Sequence, residues 1–304
     1  MRVLALAVLV TQVLISVTGS VVRITGSGLG CPTWPQCFPG SLVPQAHPEV
    51  ATLHQVIEFG NRMLTGVVGF IALACLLAAW WARPFRRRVV LLALVMPLGV
   101  LAQAVMGGIT VWVDLAWWSV SLHFMASAIL IWLAAHLFKA AGEGDAEPHS
   151  VVTPAMRRLL VALTAVTPFM LIAGTLVTAA GPHAGDESTK RLGLPVPALT
   201  EAHALLVTAY VCLLAVLGVW MRHARPTRAF LRAYVTACVV VLAQGALGTA
   251  QYWLGVPGAM VVLHVVGATL VIITNALLWG ESRYRARRER TAAPAAADER
   301  GVPA

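Results

Sequence analysis

Three histidines stand in apolar runs, where an ionisable side chain is costly unless something holds it. They are His203 in "LTEAHALLVT" (199–208), His123 in "WSVSLHFMASAILIW" and His264 in "MVVLHVVGATLVIITN". Hydrocarbon discourages the charged imidazolium and leaves a nitrogen lone pair available to a metal. Two such rings at matched depth on neighbouring helices can supply both axial bonds to the iron of a flat macrocycle, and the space between bundle helices is a usual cofactor site. A single membrane histidine is more often a hydrogen-bonded packing residue. The presence of His203 and His264 in one half of the chain, with His123 at the equivalent place in the other, favours ligation. His136, His149 and His223 read as solvated, and His47 and His183 as loop residues.

Two further groups could take part in chemistry. In "LHQVIEFGNRMLTG", Glu58 has His54 one turn before it and Arg62 one turn after, on one helix face. Glu58 and Arg62 form a structural ion pair, or Glu58 does proton work beside a cofactor at the depth of the histidines. In "GSGLGCPTWPQCFPG", Cys31 and Cys37 are the only loop cysteines, too few for zinc, and a disulfide is expected, either structural or redox-active. Cys75, Cys212 and Cys238 fall in apolar spans and read as filler.

The elements that must position these groups follow from composition. The 304 residues are 59% hydrophobic and 12% charged, with a mean hydropathy of +0.79. A soluble protein of this size could not hide so much apolar surface. Stretches long enough to cross a bilayer (about 20 residues) read at about 3–22, 54–82, 89–111, 117–138, 159–180, 200–221, 233–254 and 259–280. All basic residues except Arg23, Arg62, Lys190 and Arg191 fall on one side of these spans. By the positive-inside bias that side is cytoplasmic, with both termini on it and the histidines toward the outer face. The net charge of +9 is therefore topological and does not indicate nucleic-acid binding. Trp112, Trp117, Trp118 and Trp253 near the outer ends fit an interfacial belt.

The chain is also written twice. "QAVMGGITVW" from Gln103 and "QGALGTAQYW" from Gln244 match at Gln, Gly107/Gly248 and Trp112/Trp253, and each Gln precedes a histidine (His123, His264) by 20 residues. "GSVVRITG" at 19–26 matches "GTLVTAAG" at 174–181, and "NRMLTGVV" from 61 falls beside "HALLVTAY" from 203. The glycines fit close helix crossings or close approach of a macrocycle. The expected fold is an all-α integral membrane protein with eight transmembrane helices in two tandem, parallel four-helix-bundle repeats. Residues 1–139 form the first unit, 140–158 a cytoplasmic linker, 159–280 the second unit and 281–304 a disordered basic tail. The first span resembles a signal peptide, but its counterpart in the fifth argues that it is retained.

The "RITGSGLGCPTWPQC" loop, the "IEFGNR" segment and "QAVMGGITV" with its following histidine resemble the haem A synthase family in its actinobacterial form. The resemblance covers nearly all of residues 1–280. It implies oxidation of the C8 methyl of haem O to a formyl group by successive hydroxylations and loss of water from a geminal diol, giving haem A for terminal oxidases. It also implies a bound haem b as cofactor, held by His203 and His264, with His123 on the substrate haem, Glu58 as the catalytic acid and Cys31 and Cys37 as a redox relay. Where the family has a first substrate-side histidine, this chain has Asn61. His123 alone is then expected to hold the substrate iron, with Asn61 facing an open or water-filled sixth position and His54 holding Glu58 or a propionate. The competing view makes His54 the second ligand.

The partners implied are haem O, a membrane electron donor, a haem O synthase and a second copy of the chain in a homo-oligomer; nucleic acid is excluded. A non-enzymatic di-haem electron carrier of cytochrome b type is the main rival, and a full histidine set with no acid would mark it. A transporter is a weaker rival, because no span carries a mid-membrane Pro-Gly break.

Overall fold

The computed structural model describes residues 1–224 and 226–286. Arg225 and most of the expected tail, 287–304, lie outside the described residues. Eight helices carry the chain: α1 (Arg2–Ile24), α2 (Thr52–Trp81), α3 (Arg87–Trp112), α4 (Trp117–Gly142), α5 (Pro154–Ala180), α6 (Val196–Ala224), α7 (Arg228–Trp253) and α8 (Gly258–Glu281). Each is long and apolar enough to cross a membrane. In lipid no water satisfies an exposed backbone, so a spanning segment bonds its own N–H and C=O groups as a helix. The protein is an all-α, multi-pass membrane protein.

Several helices overrun their apolar stretches, because polar caps extend them. Thr153 accepts a hydrogen bond from the Met156 N–H at 3.3 Å, and Pro154 sits in the first turn, where its missing N–H costs nothing. The fifth helix therefore begins before the arginines at 157 and 158. Thr227 starts α7 in the same way, accepting from the Phe230 N–H at 3.2 Å.

Helices α1 to α4 form a closed ring in which α4 returns to α1. In the second set, α5 packs on α6 and α7 on α8, α5 meets α8, and α6 and α7 touch only lightly. Helix α8 also packs against α1 and α4, joining the two sets. Alanines line the first core (Ala5, Ala72, Ala93, Ala134), which draws in Ile272 and Ala276 of α8. Small side chains let helix backbones approach where lipid gives no hydrophobic drive to associate. The second core is bulkier and includes Leu163, Tyr210, Leu217 and Phe230.

At the basic end, the α4–α5 connection is strapped to the end of α8. Strand β1 (His149–Ser150) pairs antiparallel with β2 (Arg283–Tyr284). Lys139 bridges Glu143 and Glu281 at 3.0 and 2.7 Å, and Arg86 meets Asp145 at 2.6 Å. Residues 281–286 of the expected tail are thus the last residue of α8 and the segment holding β2. The opposite end carries the long 25–51 loop, closed by a Cys31–Cys37 disulfide whose two cysteines are completely buried.

Candidate functional site

Helix α6 presents His203 and α8 presents His264, with ring centres 6.5 Å apart. Two imidazoles bonded to one metal at about 2 Å each have ring centres roughly 6 Å apart. The pair therefore has the separation of axial ligands on a shared iron. His203 is oriented through Nδ1, which lies 3.0 Å from the Met170 carbonyl of α5, leaving Nε2 free. His264 has a buried Nδ1 with no partner among the described residues. A donor set of two neutral rings, one anchored and one orphaned, fits a haem.

Glycines make room for these rings. A Cβ on Gly174 would stand 3.3 Å from His203 Cε1, one on Gly248 2.9 Å from His264 Cε1, and one on Gly107 3.2 Å from His123 Cε1. Behind the rings, Gln244 donates to the His264 carbonyl at 2.8 Å and Gln103 to the His123 carbonyl at 3.2 Å. These two bonds tie α7 to α8 and α3 to α4 at the level of the histidines. Both glutamines are visible in the sequence as repeat markers, but their bonding role is not.

The fourth position differs. Asn61 of α2 stands where the register with His203 would place a ring, and its Oδ1 accepts from the Thr18 hydroxyl at 2.7 Å. Gly19, the counterpart of Gly174, has nothing among the described residues within 4 Å of where its Cβ would be. Space stands open on the α1 side of this position. His54 lies two turns earlier, with Nδ1 2.8 Å from the Ser27 hydroxyl. The expected bond from His54 to Glu58 is absent among the described residues, because the 25–51 loop offers Ser27 first.

Glu58 is 5% exposed. One carboxylate oxygen accepts from the Cys31 N–H at 2.6 Å and the other from the Arg62 guanidinium at 2.6 and 3.1 Å. Arg62 also donates to the carbonyls of Cys31 (2.7 Å), Thr33 (2.9 Å) and Gln36 (3.2 Å). The expected ion pair is present, and it also clamps the disulfide loop. Gly30 lets the loop lie directly on the His54 backbone, which a Cβ would overlap. Trp34 reaches across to α3. Its ring fills the place a side chain at Gly108 would take and meets Trp112 edge-to-face at 5.4 Å. The loop thus seals the end of the first unit above Glu58.

Elsewhere, His47, His149 and His223 are exposed, and His183 Nε2 lies 3.0 Å from the Val256 carbonyl, tying two loops together. His136 is not solvated as expected. It is 8% exposed, because Trp132 one turn earlier packs edge-on against it at 4.0 Å between ring centres.

Eight spans, with His123, His203 and His264 each backed by a glycine, define a multi-pass membrane protein in which one pair of rings stands at metal-ligand separation. A family profile of cytochrome oxidase assembly proteins (COX15-CtaA) matches residues 2–186. The chain belongs to this family. Its relatives include proteins named Heme A synthase from Halalkalibacterium halodurans (25% identical over 276 residues, 86% of this chain and 90% of the relative) and Shouchella clausii (27% over 256 residues, 78% and 81%). A third, from Lysinibacillus sphaericus, is 32% identical over 179 residues, and the matched segment spans 56% of that relative's length.

Proposed function

We propose that this chain is a haem A synthase, an oxidoreductase that converts the C8 methyl of haem O to a formyl group. Two successive hydroxylations take the methyl to a geminal diol, which loses water to leave the aldehyde. Each hydroxylation is a two-electron oxidation that takes one oxygen atom from an oxidising co-substrate such as dioxygen. The family and its relatives' shared name support haem A synthesis and leave the electron-carrier rival without support. No transporter-type break appears among the described residues, since α3 and α5 run through Pro97 and Pro168.

The observation that carries the division of labour is the contrast between the two histidine sites. In the second unit, His203 and His264 stand at ligand separation and would hold a resident haem b, which supplies one-electron transfer when bound. In the first unit, His123 would hold the substrate iron alone, with Asn61 facing an open or water-filled sixth position. A substrate that must leave as product gains little from two strong axial bonds. Glu58 holds or moves a proton at its carboxylate, kept in place by Arg62 and the Cys31 N–H. Trp34 and the disulfide loop cover this end of the first unit, and Cys31 and Cys37 would relay electrons.

The clustering of Lys and Arg at one end supports cytoplasmic termini and haem sites toward the outer face of the cell membrane. A membrane electron donor, a haem O synthase and self-association are the partners this chemistry implies. Membranes containing the chain and a haem O source test the proposal by extraction and chromatography of their haems. Haem A should appear only when the chain is present. Haem O and haem B alone, with the chain well expressed, would refute it.

A further inference from the structure

A second site lies at the basic end, far along the helices from the histidine pair. Arg87, Arg88 and Leu91 of α3, Trp132 and His136 of α4 and Trp279 of α8 line a cavity of about 640 Å³ that is wide open to the surface. Two polar atoms buried there, Trp132 Nε1 and His136 Nε2, have no partner among the described residues. His136 itself is more than nine-tenths buried. An orphaned buried pair one helical turn apart calls for a hydrogen-bonding partner.

The mouth of the cavity is cationic. Of the carboxylates at this end, Glu143 is engaged by Lys139 and by one nitrogen of Arg88, Glu281 by Lys139 and Asp145 by Arg86, while Glu147 has no ion-pair partner among the described residues. Arg87 is exposed and has no carboxylate partner among the described residues, and the Arg283 guanidinium lies over the Trp279 ring at 5.2 Å, likewise unpaired. The walls are apolar and continue into Leu91 and Val95, which are 50% and 38% exposed on the surface that meets lipid. A ligand here must be anionic at the mouth, carry hydrogen-bond acceptors into the cavity and be apolar along α3.

We propose that this cavity binds one anionic phospholipid. Its phosphate accepts hydrogen bonds from Arg87, Arg88, Trp132 and His136, and an acyl chain runs along Leu91 and Val95. Phosphate oxygens form strong charge-assisted bonds with guanidinium groups, and basic pockets between spanning helices recognise anionic headgroups. Free phosphate would satisfy the N–H groups but leave the apolar wall unused.

Native mass spectrometry of the full chain tests this, with the protein purified in neutral detergent and exposed to phosphatidylglycerol, phosphatidylcholine or inorganic phosphate. The wild type should retain one phosphatidylglycerol per chain in preference to phosphatidylcholine, and millimolar phosphate should not displace it. Arg87→Gln should weaken retention by about fivefold, as expected for one interfacial arginine, and His136→Phe should weaken it further. Arg87 is exposed and pairs with nothing described, so its variant reports binding even if His136→Phe fails to fold. Equal retention of the two lipids, displacement by phosphate, a quinone bound in place of lipid, or unchanged retention by Arg87→Gln would each overturn the proposal.

Discussion

Gly174, Gly248 and Gly107 each back onto a histidine ring, whereas Gly19 meets nothing among the described residues, and Asn61 takes the hydroxyl of Thr18. That asymmetry decides how His54 is read. Its Nδ1 is engaged by Ser27, and it lies seven residues before Asn61, about 10 Å along the helix axis. The bond at Nδ1 leaves Nε2 free, as it does in His203, so it is the displacement along the helix that sets His54 apart from a ligand at Asn61 in the proposed arrangement. His54→Ala should therefore leave the spin state of the substrate haem unchanged in spectra of haem O-loaded protein. Conversion from low to high spin on this one change would make His54 the second ligand. The histidines, Glu58, Asn61 and both cysteines were legible in the sequence, because ionisable or reactive groups stand out against an apolar background. The partners of His54 and Arg62 were not. Ser27 and the carbonyls of residues 31, 33 and 36 reach them through a loop that follows no periodicity, so spacing along α2 suggested His54 to Glu58 instead.

At the scale of elements, eight spans could be read from hydropathy alone, and their ends moved where capping overrode it, as at Thr153 and Thr227. The buried state of His136 was hidden, since it depends on Trp132 and the end of α8 rather than on local composition. The α7–α8 crossing is set by Gln244 on the His264 carbonyl and by Gly248 against the ring. A methyl at Gly248 would press on His264 Cε1 at 2.9 Å, closer than ordinary contact. Gly248→Ala should then push the ring off its ligand position and lower resident haem occupancy by about tenfold or more, as for other groups that orient a metal ligand. Gly19→Ala, which meets nothing described, should keep haem occupancy near wild type. Absorbance of the two purified variants per mole of protein checks both, and equal occupancy would show that Gly248 is only a packing residue.

For the molecule as a whole, the proposed function gives the two helix sets different work. The first carries Glu58, the disulfide loop, and His123 with Asn61 in place of a partner histidine; the second carries the matched pair His203 and His264. Helix α8 packs on α1 and α4 and so joins the two sets, which under the proposed division would keep a resident haem and a substrate haem at fixed separation. If this division is right, damage to the acid in the first set should spare the cofactor in the second. Glu58→Gln keeps the size and most of the hydrogen bonding of the carboxyl group but removes its charge. The most direct test is haem A formed per resident haem b in membranes of this variant supplied with haem O. On the proposed function, normal haem b is expected, with a rate lower by about 10²–10⁴-fold, the range for a lost general acid or base. Wild-type conversion by Glu58→Gln would contradict it and leave Glu58 as no more than the clamp that joins Arg62 to the loop.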